Sequence, residues 1–507
     1  MIDAYLAADA AVVARHVFEG VSSPEEWAAV RPRLKREFFQ MLGLWPVPER
    51  TPLHAKVTGT VEREGPVVIE KIHFQSRPGL YVTGNLYRPR DVKGKLPTIL
   101  YVCGHSPKGR DGNKTAFQDH GMWFARHGYV AFLIDTLQLG EVAGVHHGTY
   151  NLGRWWWQAA GYTPAGVECW NGIRAIDYLV TRSDVDPSRI GVTGISGGGA
   201  ATYWIAAADD RVACAVPVSG MSDLESYVAH KVVNGHCDCM FMYNTFRWQW
   251  TTIAELIAPR PLLFANSDHD TIFPMDGNTR VIERLRKFYA MLGHPERIAA
   301  HVSPGGHDYR TDLRMAVFHW VNVHFKNDTG PVNDATDPPF DGKKLRVFPE
   351  DKDLPADALN ARIDETFVPK AQPAPPAPAD WPRWKADILA RLRAVSFRTF
   401  PERIPAAEPK LSSAPGKHER WLATEPDIEV AIADLRRPGS KSPRGMLVVL
   451  NEGESLDSLP GWASSIVGSD DVVILAPRGV GPTAWDRKSP PNYVARSHVL
   501  LGRTVDE

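Results

Sequence analysis

Arg189-Ile190-Gly191-Val192-Thr193-Gly194-Ile195-Ser196-Gly197-Gly198-Gly199-Ala200 is the stretch on which the chain turns. Ile190, Val192 and their neighbours read as a short buried strand, and 201–208 as a helix of small residues. Between them stands Gly194-x-Ser196-x-Gly198, the pattern of a serine lifted above a sheet on a tight strand-to-helix turn. Glycines flank the serine because a Cβ at those positions would strike the neighbouring strand and helix. The turn also sets the hydroxyl at a helix N-terminus, where backbone N–H groups can hold a developing oxyanion.

A serine hydroxyl needs a base within hydrogen-bond reach, and the base needs an orienting acid. On an elbow of this kind the partners follow in the order Ser, Asp or Glu, His, at the ends of later strands. The apolar run 261–266 opens into Ser267-Asp268-His269-Asp270-Thr271-Ile272-Phe273-Pro274, which offers Asp270 as the acid, with Asp268 second and Asp223 a remote third. The run 298–303 ends in Pro304-Gly305-Gly306-His307, and a histidine in a glycine-rich loop between the last strand and the last helix is where the base belongs. His294 and His301 read as surface histidines. The oxyanion donors expected are the N–H of Gly197 and one from the loop Gly104-His105-Ser106-Pro107; Pro107 has no N–H, so His105 or Ser106 supplies it, with His105 preferred.

The runs 67–74, 80–87, 96–103, 129–135, 190–193, 212–218, 261–266 and 298–303 read as strands, with helices over 117–127, 164–181 and 311–325 between or after them. Repeated strand–helix units predict a mostly parallel sheet covered on both faces. Ahead of it, 2–44 carries the spacing of two helices, with Ser23-Pro24-Glu25-Glu26 as the start of the second. The stretch 219–259 breaks the alternation and reads as a helical insertion over the catalytic face. Residues 331–381, with two runs rich in Pro, Ala and Asp, read as linker. Beyond it, 444–450 and 471–476 match earlier strands in kind, and 493–507 matches the start of the helix at 164, so 382–507 reads as a partial, divergent and non-catalytic repeat. The expected organisation is therefore 1–50 helical, 51–330 catalytic, 331–381 linker and 382–507 repeat.

With 507 residues, 23% charged and a formal net charge of −1, the composition argues against nucleic acid or an anionic membrane as partner. The oligomeric state is left open. Five cysteines are not a disulfide framework, and Cys103, Cys169 and Cys214 read as core thiols. No basic n-region precedes an apolar h-region at the N-terminus, so no signal peptide is visible; the default compartment is cytoplasmic, or exported if the N-terminus is trimmed. His236, Cys237 and Cys239, with His146 and His147 elsewhere in the chain, could suggest zinc, but Cys-x-Cys with one nearby His lacks the usual ligand spacing, so no metal is expected, and no nucleotide motif calls for a cofactor. Trp156 in the triple 155–157, together with Trp248 and His236 of the insertion, are candidate substrate-binding residues, because flat aromatic faces stack on sugar C–H faces.

Gly-Ile-Ser-Gly-Gly, Asp-Thr-Ile-Phe-Pro and Gly-Gly-His together resemble α/β-hydrolases of the acetyl xylan esterase type, near the prolyl oligopeptidase-like esterases, over about 67–325. The resemblance implies the α/β-hydrolase fold, with N-terminal helices and a partial second α/β unit here. It also implies hydrolysis of small-molecule or polysaccharide esters, acetyl esters on carbohydrate first. That family often carries a His-Gly-Tyr-like oxyanion loop, whereas Gly104-His105 stands here, and the propeller of the oligopeptidases has no counterpart before the hydrolase unit. The alternatives are a serine peptidase using the same three residues, and a non-catalytic carbohydrate-binding scaffold.

Overall fold

Nine strands form one sheet in the order β1-β2-β3-β5-β4-β6-β7-β8-β9. They are β1 (Lys56–Glu62), β2 (Val67–Arg77), β3 (Leu80–Pro89), β4 (Leu96–Val102), β5 (Val130–Ile134), β6 (Val185–Ile195), β7 (Val212–Val218), β8 (Leu262–Ser267) and β9 (Ile298–Ser303). The first three and β5 pair antiparallel, and everything from β5 to β9 pairs parallel. The computed structural model describes residues 1–507 except 17–20, 63–64, 405, 407–409, 412–418, 436–444, 469, 486–489 and 504–507. The expected helical positions Val17 and 504–507, and residue 444 of an expected strand, lie outside the described residues.

Strands β4, β5, β7 and the 190–195 part of β6 are mostly apolar because both of their faces are covered, whereas β9, at the sheet edge, is only partly buried. In β4 successive side chains part company. Leu100 and Val102 join the core on the side of helices Pro164–Leu179 and Gly197–Ala208, while Ile99 and Tyr101 join the core under helices Gln118–Arg126 and Thr311–Lys326. The N-terminal helices, Ile2–Arg15 and Pro24–Met41, pack into the first of these cores through Leu6, Val13, Phe38 and Met41. The second of them starts where expected: the Ser23 side chain accepts from Glu26 N at 3.2 Å.

Strand β1 is absent from the expectation because its residues are mostly exposed and show no apolar run. The stretch 219–259 is less helical than expected. It holds only the short helices Leu224–Ala229 and Thr251–Glu255 and two single 3₁₀ turns, the rest being irregular chain. The stretch read as linker is also partly packed: Leu345, Val347, Ile363 and Phe367 are buried.

A second sheet follows, in the order β10-β11-β12-β14-β13, made of β10 (Lys410–Leu411), β11 (Glu419–Glu425), β12 (Ile428–Leu435), β13 (Gly445–Val449) and β14 (Asp471–Ala476). Its order and its antiparallel and parallel senses are those of β1 to β5. The helix after it, Asn492–Leu501, leaves its own sheet and buries Val494, Leu500 and Leu501 in the core of the first. Among the described residues no helix is long and apolar enough to cross a membrane.

Candidate active site

Ser196 sits between β6 and the helix Gly197–Ala208 with φ 61° and ψ −121°, a backbone conformation that costs an L-residue energy and is held only by its surroundings. Those surroundings explain the glycines. A Cβ on Gly194 would lie 2.0 Å from Val102 O, and one on Gly198 would lie 2.2 Å from the same oxygen. Ser196 N donates to Val218 O at 2.9 Å, which ties the turn to β7.

The acid and base candidates meet at the ends of β8 and β9. His307 Nδ1 lies 2.8 Å from Asp270 Oδ2, while Asp270 Oδ1 accepts from Ile272 N at 2.8 Å and Phe273 N at 2.9 Å. Burial raises the Asp270 pKa, but the hydrogen bond and charge of His307 and the two N–H groups outweigh it and hold the carboxyl below its ordinary value. The group's contribution to stability is therefore present above the ordinary aspartate pKa and is lost as pH falls through the folded value. An imidazole held this way at Nδ1 presents Nε2 as a proton acceptor. Asp268 does something else: its Oδ1 takes Gly305 N at 2.7 Å and His269 Nδ1 at 2.6 Å, so it ties down the loop that carries His307. Asp223 caps the helix Leu224–Ala229 and pairs with Arg280. His301 and His294 face Asp312 and Glu296.

The loop after β4 brings His105 against the elbow: a Cβ built on Gly197 would lie 3.0 Å from His105 Nε2. Ser106 N is used by Gly104 O at 3.0 Å, so His105 is the better-placed donor of the two considered. Asn113 holds this loop in place. Its Nδ2 donates to Gly104 O at 2.8 Å and to Thr136 Oγ1 at 3.0 Å, and its Oδ1 accepts from Thr136 N at 3.1 Å. Beside it, Lys114 Nζ is wholly buried between Asp135, at 2.8 Å, and Glu141, at 2.6 Å. Glu141 in turn accepts from Val347 N and Phe348 N, so the network reaches the packed part of 331–381. Polar residues in a loop carry no periodic signal, and neither Asn113 nor Lys114 is visible as a positioning residue from sequence.

Lys114→Met leaves buried Asp135 without its cation and buried Glu141 with Arg110 alone, at 3.3 Å. It is expected to lower stability by about 3–5 kcal/mol, read as an earlier urea midpoint at unchanged m-value; a midpoint equal to wild type contradicts the network's importance.

The candidate substrate-binding residues separate. Trp156 is 43% exposed and available to a ligand. Trp248 is buried elsewhere, stacked on Phe38 at 6.3 Å with its Nε1 donating to Glu37 at 3.1 Å, and it lines a cavity beside the second N-terminal helix that holds no residue of the elbow or of the His307 loop. His236 is buried too: its Nε2 faces Ile272 O at 2.9 Å and its ring stacks on Phe273, which neighbours His307. Burial holds its pKa at about 4, so it is neutral, and it packs behind the His307 loop instead of reaching substrate.

Above His105 lie Cys237 and Cys239, both buried and free, the latter with Sγ 3.5 Å from His105 Nε2. Burial alone would raise the Cys237 thiol; hydrogen bonds from Cys239, His105 and His146 and the His105 charge hold it well below its usual value. Burial alone would lower His105, and the Cys237 sulfur lifts it to about 9.

Residues 120–327 match the prolyl oligopeptidase family, Peptidase_S9. YtaP of Bacillus subtilis (strain 168), whose name is that of a hydrolase, is 25% identical over 299 residues, 55% of this chain and 94% of that one. Dipeptidyl-peptidase 5 of Porphyromonas gingivalis is 26% identical over 172 residues, but the match spans 33% of this chain and only 24% of that protein. Among solved structures, Methylesterase BT1017 superposes with a TM-score of 0.55 at 22% identity, covering 77% of this chain and 81% of that one. The parallel sheet with helices on both faces, the serine turn and the family match lead to one conclusion: the chain is a serine hydrolase of the α/β-hydrolase fold.

Proposed function

We propose that the chain hydrolyses carboxylic esters carried on carbohydrate, acetyl esters first, with Ser196 as nucleophile, His307 as base and Asp270 as orienting acid. The observation that carries this reading is the 2.8 Å pairing of His307 with Asp270 at the ends of strands that follow the Ser196 turn in the same sheet. His307 Nε2 takes the Ser196 proton as Oγ attacks the ester carbonyl. The N–H groups of Gly197 and His105 hold the tetrahedral oxyanion. Collapse expels the alcohol, which receives its proton from His307, and leaves an acyl-serine; water, deprotonated by the same imidazole, then releases the acid. Trp156 offers an exposed flat face to a sugar ring. Methyl esters form the second substrate class, since the neighbour of similar fold is named a methylesterase.

The peptidase reading draws on the family match over residues 120–327. The two are separated by turnover of 4-nitrophenyl acetate against a peptide 4-nitroanilide. Rapid ester turnover with no anilide cleavage is expected, and the reverse overturns the ester assignment. Within the esters, acetate is expected to exceed decanoate, because Cys239 of the 219–259 stretch meets the His105 ring that lies against Gly197 and so crowds the acyl side of the elbow; faster decanoate hydrolysis contradicts that crowding. Acetylated xylan and glucuronoyl methyl esters, compared side by side, distinguish the two ester classes.

A further inference from the structure

Three loops that are far apart in sequence converge beside the nucleophile turn, each with metal-ligating atoms. The loop after β4 brings His105, the loop after β5 brings His146 and His147, and the 219–259 stretch brings Cys237 and Cys239. The donor atoms of His105, Cys237 and Cys239 all lie within 4.8 Å of one another, and so do those of His146, His147 and Cys237. Cys237 Sγ is thus common to both sets. The two thiols are 3% and 1% exposed, and His146 Nε2 and His147 Nδ1 are buried without a hydrogen-bond partner.

We propose that this cluster is a zinc site, with His105 Nε2, Cys237 Sγ and Cys239 Sγ as three ligands already within reach of one another, and with the imidazole of His146, which lies within reach of Cys237, moving in as the fourth. The donor set, two thiolates and two imidazoles, is that of closed tetrahedral zinc sites, whereas calcium and magnesium require oxygen ligands. One edge of such a site is already in place. With Zn–S of about 2.3 Å and Zn–N of about 2.05 Å, a tetrahedral N···S edge is about 3.6 Å, and His105 Nε2 to Cys239 Sγ is 3.5 Å. A site closed by four protein ligands keeps no position for water or substrate, so its role is positional. It clamps the loop that carries His105, whose ring lies against Gly197 of the elbow, to the loop after β5 and to the 219–259 stretch. Binding releases the thiol protons to solvent and forms two Zn–S and two Zn–N bonds, with no change in oxidation state.

The test uses the full chain, purified with reductant, stripped with a chelator and reloaded with zinc or cobalt(II). One zinc per chain after desalting, a thiolate-to-cobalt charge-transfer band, and a zinc-dependent rise in Tm are expected. Cys237→Ser and His146→Ala should each weaken zinc binding by more than the ~10–100-fold typical of losing an outer-shell partner. Ser196→Ala should bind zinc as wild type does, which keeps the site separate from the reading of the catalytic serine. Wild-type chain that retains no zinc and shows no cobalt band overturns the proposal, as does a Cys237–Cys239 disulfide in the reduced preparation. His146→Ala with undiminished affinity also overturns the ligand set.

Discussion

Asp270→Asn is expected to lower kcat by about 10⁴ while the protein stays folded, and Asp268→Asn to leave it within a few-fold. The asparagine could still meet the N–H groups of Ile272 and Phe273 through one oxygen. It cannot offer a carboxylate to His307 Nδ1, so the imidazole loses both its preferred tautomer and the anion that steadies its protonated form. Ser196→Ala and His307→Ala should cost at least as much, because the three act as a unit and no single loss is additive with the others. Steady-state kinetics on a soluble acetate ester, with circular dichroism as the check on folding, reads all four variants. Near wild-type turnover in Asp270→Asn together with loss in Asp268→Asn moves the acid to residue 268.

Truncation before Asn492 is expected to destroy the fold of the whole chain. The helix Asn492–Leu501 places Val494, Leu500 and Leu501, all fully buried, in the core of the nine-stranded sheet's domain. At about 1.5–3 kcal/mol for each such side chain, their loss approaches the ~5–15 kcal/mol by which a typical protein is stable. Arg496 adds a buried charge. Its guanidinium donates to Asp238 at 3.0 Å, to Thr149 Oγ1 at 3.1 Å, to Val233 O at 2.9 Å and to His236 O, and so holds the segment that carries Cys237 and Cys239. Arg496→Met leaves buried Asp238 without its cation, with only Thr149 donating to it, and should cost about 3–5 kcal/mol. Thermal melts of both variants check this. A truncated chain that melts cooperatively at the wild-type temperature would show that the C-terminal helix is dispensable.

What the sequence made legible follows from periodicity and punctuation. Parallel strands such as the buried 212–218 and the partly exposed edge strand 298–303 are short runs bounded by turn residues, and they fall where they were expected. Glycine spacing around Ser196 is legible because the contacts that demand it are made with Val102 O, whatever the rest of the fold does. Strand β1 escaped because an exposed edge needs no apolar run. Trp248 misled because an aromatic residue in an insertion reads alike whether it stacks on a sugar or on Phe38. The Cys–His cluster was only partly legible for a different reason: Cys237, Cys239, His146 and His147 stand out as possible donors, but with His105 they are gathered by three loops, so no ligand spacing exists along the chain. The same holds for Lys114, whose partners Asp135 and Glu141 lie across a strand from it.

The account's central claim is that Ser196 is the activated nucleophile. Incubation of the full chain with a fluorophosphonate probe, followed by proteolysis and mass spectrometry, tests it directly. One phosphonyl adduct on Ser196 is predicted, with labelling abolished in Ser196→Ala and strongly slowed in His307→Ala. An unlabelled Ser196 in folded protein that still hydrolyses acetate esters, or an adduct on another serine, would contradict it.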